Sequence, residues 1–456
     1  MFNIFKAKIK PVEYSNEDII KNPALCRLRW VYPIVNFGQQ AVRQCCRTPM
    51  MKVSAEEVEK YKDQIFLNHP NHQERRSEML KGIKHPECNT CWLLESDQVP
   101  SPRENFNSKE QFNFLTSQDT KQIPTTSFRP WMMDIELSNL CDLKCMYCNR
   151  SFSSSWASED VKLNKISLED LKKETPVKSE NFEKYFWQWF DQVKDGIVHL
   201  NFIGGEPTIN PQYYRFLEGI KKAYQYQVRR QLSLVTVSNF NASPEQFEKF
   251  VNTIADMTNY FNVDIDASQE TFGPRSEFIR YGLKWENWER NVHTILSRNL
   301  NHFTLGIQGA LNILSLKTAA DFFNKIADIR DQYNTPVYLK TNIISFPSYM
   351  SPLIGTEDMA EDLRKAAAIV KKRIRPEFES QTDRYKNFNW ESYSYFLLNL
   401  AQSISNKQKD IKSVAKERAQ FYQWVNDYEK NRSVQFLETF PEYREFYELC
   451  KLADQQ

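Results

Sequence analysis

NLCDLKCMYCNR, residues 139–150, places Cys141, Cys145 and Cys148 in C-x3-C-x2-C spacing directly after a short β-like run, Trp131–Leu137 (WMMDIEL). Thiolates are the standard ligands of iron–sulfur clusters, and cysteines set this closely on one loop can converge on a single cubane. Three ligands on a four-iron cluster leave one iron open. A zinc site wants a fourth protein ligand, and no nearby His or Cys obviously supplies it. On spacing alone, a zinc knuckle or chance proximity stands beside the cluster as an alternative.

Downstream of this loop the chain alternates regularly. Further β-like runs occur at Ile197–Ile203 (IVHLNFI), Leu232–Ser238 (LSLVTVS), Phe261–Ala267 (FNVDIDA), Phe303–Leu311 (FTLGIQGAL) and Pro336–Ile343 (PVYLKTNI). They are short and rich in β-branched and aromatic residues, which favours strands. Between them lie segments at helical spacing, such as Glu180–Val193, Pro244–Met257 and Leu316–Tyr333. Asn-Ala-Ser-Pro-Glu at Asn241–Glu245 reads as a helix cap followed by a first-turn proline. Six βα units in a row predict an α/β fold with a parallel sheet, because parallel strands need crossover connections. Periodicity leaves open sheet and barrel both possible. After Ser351 the pattern is helical through Asp427, and the chain closes on the aromatic tail FLETFPEYREFYELC.

The second run ends in Gly204-Gly205-Glu206-Pro207. In a chain with only 11 glycines, two adjacent ones at a strand's end mark a place where backbone approaches something closely. Glu206 can accept from an ammonium there. A Gly-Gly pair by itself is an ordinary turn.

Taken together, these residues resemble the signature of the radical S-adenosylmethionine (radical SAM) superfamily. The resemblance rests on the cysteine loop with the aromatic Tyr147 before its third cysteine, on the strand entry Met133–Asn139 (MDIELSN), and on Gly204–Pro207 as a GGEP motif. It implies a partial (β/α)6 barrel over residues 129–352 and a 4Fe-4S cluster on Cys141, Cys145 and Cys148. The open iron would chelate S-adenosylmethionine, whose reductive cleavage yields a 5′-deoxyadenosyl radical. GGEP would bind the methionine amino group, and Tyr147 would be among the cofactor contacts. The same resemblance suggests ribose or carboxylate contacts for Ser238 and Asn239 and for Asp266 and Ser268, and it marks Arg280 in EFIRYGLKWENW. Ordinary turn polarity, or a packing arginine, accounts for those positions equally well.

Residues 1–128 differ in texture, with few apolar runs and polar stretches such as NHPNHQERRSE and SPRENFNSKEQ. They hold Cys26, Cys45, Cys46, Cys88 and Cys91, four ligands with one to spare. Their spacing does not separate a four-cysteine zinc site from an iron–sulfur site. PECNTCWLLESDQVPSPR, with the earlier QCC, resembles the auxiliary-cluster segment of twitch-domain proteins, relatives of the SPASM group. That implies a second 4Fe-4S cluster on Cys26, Cys88, Cys91 and one of Cys45 or Cys46. Twitch extensions of the best-known kind follow the barrel, whereas these cysteines precede it. Residues 353–456 read as a helical extension, and Cys450 as a buried or tolerated thiol.

The 456 residues suffice for a sizeable core, and 41% apolar with 26% charged residues is the composition of a globular protein. A formal charge of +2 and the lack of a basic stripe argue against a nucleic-acid partner. No run approaches the roughly 20 apolar residues of a membrane span. The opening MFNIFKAKIK reads as a first strand or loose terminus rather than a signal, so the expected compartment is the cytoplasm, where clustered cysteines bind metal more often than they pair. The expected function is hydrogen abstraction from a peptide or a small metabolite, ending in oxidation, crosslinking or epimerisation. An external electron donor such as flavodoxin or ferredoxin would supply the reducing electron. The competing reading is a metal-stapled binding protein without radical chemistry.

Overall fold

The computed structural model describes residues 22–96, 101–107, 125, 130–174, 177–333, 335–373, 390–408 and 412–455. The expected opening segment MFNIFKAKIK lies outside them, as do residues 108–111 of SPRENFNSKEQ. The fold is α/β, with a mixed, mostly parallel sheet of many strands and a helical C-terminal region, as a partial barrel requires. The chain divides into two compact units, one of residues 1–138, 166–204 and 231–234, the other of residues 139–165, 205–230 and 235–456.

In the first unit, Met132–Glu136 pairs in parallel with both His199–Ile203 and Ile34–Asn36. Ile34–Asn36 in turn pairs antiparallel with Ala41–Arg43, which pairs with Met51–Lys52. The cysteine-rich front region therefore extends the sheet of the strand that leads to the cysteine loop. Side chains alternate across a strand, and here the alternation is strict. Met133, Ile135, Leu200 and Phe202 share one buried apolar face. Asp134, Glu136 and Asn201 share the other. Asp134 accepts from Tyr32 Oη at 2.6 Å and from Asn201 Nδ2 at 2.6 Å, and Glu136 accepts from Asn36 and from Arg43. The helix Phe182–Val193 buries Phe182, Phe186, Trp189, Phe190 and Val193, one stripe at helical spacing. Phe186 meets Phe37 edge-on at 5.1 Å between centroids.

The polar stretch NHPNHQERRSE forms most of the helix Pro70–Leu80, whose buried residues are His72, Arg76 and Met79. Arg76 is fully buried and donates to the carbonyls of Arg29, Leu67 and Thr125. A charged side chain here does the work of a core residue, which hydropathy does not register.

In the second unit, Asn262–Ser268, Phe303–Leu311 and Val337–Ile343 run parallel, with Gly306 opposite both Asp266 and Tyr338. The helices Trp285–Ser297 and Ala319–Asp331 connect them. Pro244–Met257 starts at a capping box of Ser243 and Gln246 with proline in its first turn, so its N-terminal amides find acceptors. Val263, Ile265, Leu305, Ile307 and Leu339 form the apolar face, while Asp266, Gly306, Gln308, Tyr338 and Lys340 alternate onto the other. A Cβ on Gly306 would stand 2.3 Å from Asp266 Oδ1 and 2.8 Å from Tyr338 Cζ. Only glycine leaves that space. The helical tail comprises Glu357–Arg373, Trp390–Gln408, Lys412–Lys430 and Arg444–Asp454, and Cys450 is buried in the last of these. No helix among the described residues is long and apolar enough to cross a membrane.

Candidate radical cofactor site

Cys141, Cys145 and Cys148 are partly buried on a loop whose path is fixed mainly by the helix after it. Ser153 caps the helix Ser154–Lys162 and also donates to Leu143 O at 2.6 Å. Ser154 and Ser155 both donate to Cys141 O, and Trp156 Nε1 donates to Cys145 O at 3.0 Å. Lys144–Cys145 pairs antiparallel with Arg280–Tyr281. Ser153–Trp156 were absent from the sequence expectation. The helix-cap pattern S-x-x-W just after the cysteines is the local signal for them.

The three thiols form a chain of mutual influence. Burial raises the pKa of Cys141, with the neighbouring Cys145 adding to it. Burial pushes Cys145 up to about 12, with Arg280 opposing and Cys148 adding. Burial raises Cys148 as well. Thiols in such a setting carry negative charge when something cationic shares it. Three sulfur donors on one loop are the donor chemistry that the sequence motif calls for. Among the described residues no group of three or more His, Cys, Asp or Glu side chains is arranged to hold a metal ion.

Behind the loop stands a carboxylate that four donors hold. Gly204 and Gly205 adopt φ of +82° and +65°, the left-handed region that favours glycine, and Glu206 follows. Its amide donates to Leu140 O at 2.7 Å. Its buried carboxylate accepts at Oε1 from the Thr208 amide, Thr208 Oγ1 and Ser238 Oγ, and at Oε2 from the Asn239 amide at 2.7 Å. Burial pushes Glu206 up to about 7, with Asp142 adding to it and these hydrogen bonds opposing. Asp142, between two of the thiols in sequence, accepts from Asn239 Nδ2 at 2.7 Å and from Asn241 Nδ2 at 2.8 Å. Cysteine loop, Glu206, Ser238 and Asn239 thus form one network, and Pro207 is buried in the turn that follows.

Arg280 and Tyr147 belong to a second network around Glu270. Arg280 donates to Glu270 Oε2 at 2.7 Å and 3.1 Å, and Tyr147 Oη donates to Oε1 at 3.1 Å. Arg280 Nη1 also lies 3.9 Å from Cys145 Sγ. Burial works against the charge of Arg280, but Glu270, Tyr147 and Cys145 outweigh it and raise its pKa. Glu270 is fully buried and was not anticipated, since nothing local marks a carboxylate ten residues from its partner.

Asp266 and Ser268 are placed differently. Asp266 accepts from Tyr338 Oη at 3.0 Å and from Lys340 Nζ at 2.7 Å. Ser268 ends its strand opposite Gln308.

The front cysteines lie in the first unit. Cys26, Cys45, Cys88 and Cys91 are buried, and Cys46 is exposed.

A family model described as the Radical SAM superfamily matches residues 135–312. Among solved structures, SuiB of Streptococcus suis bound to S-adenosylmethionine is 14% identical at a TM-score of 0.33, over 73% of this chain and 65% of that chain. The structure titled native anSMEcpe with bound AdoMet and Cp18Cys peptide is 13% identical at a TM-score of 0.33, over 53% and 59%. This chain therefore spans less than two thirds of either neighbour's length. No curated protein matches it. The family model begins inside the strand Met132–Glu136 and encloses the cysteine loop, Glu206 and the Glu270–Arg280 pair. Residues 135–312 thus match the model of the radical SAM superfamily.

Proposed function

We propose that this protein reductively cleaves S-adenosylmethionine and uses the resulting radical to abstract hydrogen from a peptide or small-metabolite substrate. Cys141, Cys145 and Cys148 would hold a 4Fe-4S cluster, which supplies the electron and an open iron for the cofactor. The observation that carries the reading is the network joining Asp142 of the cysteine loop, through Asn239, to Glu206.

Each residue then has a task. Gly204 and Gly205 leave backbone unshielded beside Glu206. Glu206, held by Thr208, Ser238 and Asn239, is tied through Asn239 to Asp142 of the cysteine loop. Arg280 places positive charge near Cys145, where negative charge on sulfur needs balancing. Asp266 and Lys340 form an ion pair on the polar face of the sheet, with Tyr338 as a second donor to the carboxylate.

The front cysteines would hold a second 4Fe-4S cluster, able to take an electron from the substrate after hydrogen abstraction. An external one-electron donor would reduce the first cluster. The test is anaerobic reconstitution with iron and sulfide, addition of dithionite and S-adenosylmethionine, and chromatography for 5′-deoxyadenosine. Slow formation without added substrate is expected. A colourless protein that binds stoichiometric zinc and makes no 5′-deoxyadenosine would instead establish the metal-stapled binding protein.

A further inference from the structure

We propose that Arg432, in the helical tail, is a positioning residue for the cysteine loop. It clamps the paired strands Lys144–Cys145 and Arg280–Tyr281 to the helix Ser154–Lys162, so that the tail sets how Cys145 is presented. This rests on the reading of that loop as the cofactor site and deepens it. The role falls to a residue whose bonded partner, Glu159, lies 273 positions earlier.

A row of alternating charges makes the first link. Arg432 Nη2 donates to Glu159 Oε1 at 2.6 Å, and Lys144 Nζ pairs with Glu159 Oε2 at 2.5 Å. The side chains of Arg432 and Glu159 are only 4% and 11% exposed, so water and salt screen the pair little. Glu159 stands on the helix that follows the cysteines, and Lys144 directly precedes Cys145 on its strand. One carboxylate thereby joins the tail to the segments on both sides of Cys148.

Aromatic rings make the second link. The Arg432 guanidinium lies 4.1 Å from the ring centroid of Tyr428, 4.7 Å from that of Tyr281 and 5.2 Å from that of Trp156. Each ring is fastened in turn. Trp156 Nε1 donates to Cys145 O at 3.0 Å, and Tyr428 Oη donates to Phe278 O at 2.7 Å. Tyr281 is paired with Lys144 across the two strands, and the Lys144 ammonium lies 4.9 Å from its ring. A planar, weakly hydrated guanidinium can stack on rings while its edge bonds a carboxylate, which an ammonium does less well. Arg432 thus acts through Glu159, Trp156 and Tyr281, which hold Lys144 and the Cys145 carbonyl.

The experiment treats the metal-free full chain with iodoacetamide and reads the labelling rates of Cys145 and Cys450 by peptide mass spectrometry. Labelling of an enclosed thiol follows the opening of the segment around it. Arg432→Met should raise the Cys145 rate at least about tenfold, as loss of a desolvated cation–π contact implies, with little change at Cys450. Arg418 is buried in the same tail but donates to Ile354 O and Gly355 O. Arg418→Met should therefore speed Cys450 and not Cys145. Arg432→Lys keeps the charge beside Glu159 without the stacking and should give an intermediate Cys145 rate. It replaces Arg432→Met in the comparison if the latter labels both thiols together through unfolding. After anaerobic reconstitution, the change that S-adenosylmethionine makes in the electron paramagnetic resonance spectrum should be lost in Arg432→Met and kept in Arg418→Met. A Cys145 rate unmoved by the Arg432 substitutions, or raised equally by Arg418→Met, would overturn the clamp. A wild type whose spectrum ignores S-adenosylmethionine would count against the cofactor-site reading, while the labelling contrast, read without iron, would still decide the clamp.

Discussion

The thiols at 141–148 and those at 26–91 are built in opposite ways. The first three come from a single loop and are partly buried. Their loop is tied by Asp142 to Asn239, whose amide reaches Glu206. Cys26, Cys45, Cys88 and Cys91 come from segments up to 65 positions apart and are all buried. Among them, Cys88 accepts from the Arg29 guanidinium and Cys45 from the Arg47 amide. A loop of near neighbours can hold a cluster and leave one corner free for a cofactor. As proposed above, the buried front thiols would serve a cluster that only passes charge. The chemistry of sulfur is the same in both, and access makes the difference.

The sharpest way to break this contrast is Cys145→Ala. It should abolish 5′-deoxyadenosine formation while leaving the iron of the front site, about half of the reconstituted total. Unchanged product, measured by chromatography after dithionite reduction, would show the loop to be misassigned. Loss of all iron would show the two sites to be one.

Arg280→Met comes next. It leaves Glu270 buried without its cation, and breaking a buried ion pair by removing one partner costs about 3–5 kcal/mol. The urea midpoint of the metal-free protein should fall accordingly. If the pair were merely a surface contact, the loss would stay under about 1 kcal/mol. Glu206→Ala should have a smaller effect. It deprives the Thr208, Ser238 and Asn239 donors of their acceptor, and hydrogen bonds to a charged group contribute about 1.5–3 kcal/mol. Both the urea midpoint and the affinity for S-adenosylmethionine by calorimetry should fall. A residue that only contacted the cofactor would lower affinity and leave the midpoint of the metal-free protein in place.

How much of this was legible depended on distance along the chain. The cysteine loop, Gly204–Pro207 and the Pro244–Met257 helix are local patterns, and the structure places them where periodicity and motif spacing predict. The strands agree with expectation to within two residues, Phe303–Leu311 at both ends. Long-range partners were not legible. Glu206 was expected to accept from a cofactor ammonium, yet Ser238 and Asn239, 32 and 33 residues later, are among the donors that already hold its carboxylate. Asp266 likewise meets Tyr338 and Lys340 from another strand, 72 and 74 residues away. In the front region, strands of two or three residues are too short to show alternation. Their pairing with Met132–Glu136 follows from tertiary contact rather than propensity.

The smallest expected effect separates two roles for Tyr147, the aromatic residue of the cysteine motif. The motif made it a candidate for cofactor contact, whereas in the structure its hydroxyl donates to Glu270 at 3.1 Å and its ring lies 5.7 Å from the Arg280 guanidinium. Tyr147→Phe keeps the ring and deletes only the hydroxyl. Glu270 retains both bonds from Arg280, so its charge stays compensated, and the loss should be about 1.5 kcal/mol, the low end for one hydrogen bond to a charged group. The urea midpoint should drop slightly, while iron content and 5′-deoxyadenosine formation stay within a factor of about two. Tyr147→Ala removes the ring as well and should lower cluster retention, because the loop then loses packing between Met146 and Cys148. If Tyr147→Phe instead suppressed S-adenosylmethionine cleavage with no change in midpoint, the hydroxyl would have to act on the cofactor. The open site would then include Tyr147 among its working groups rather than among its supports.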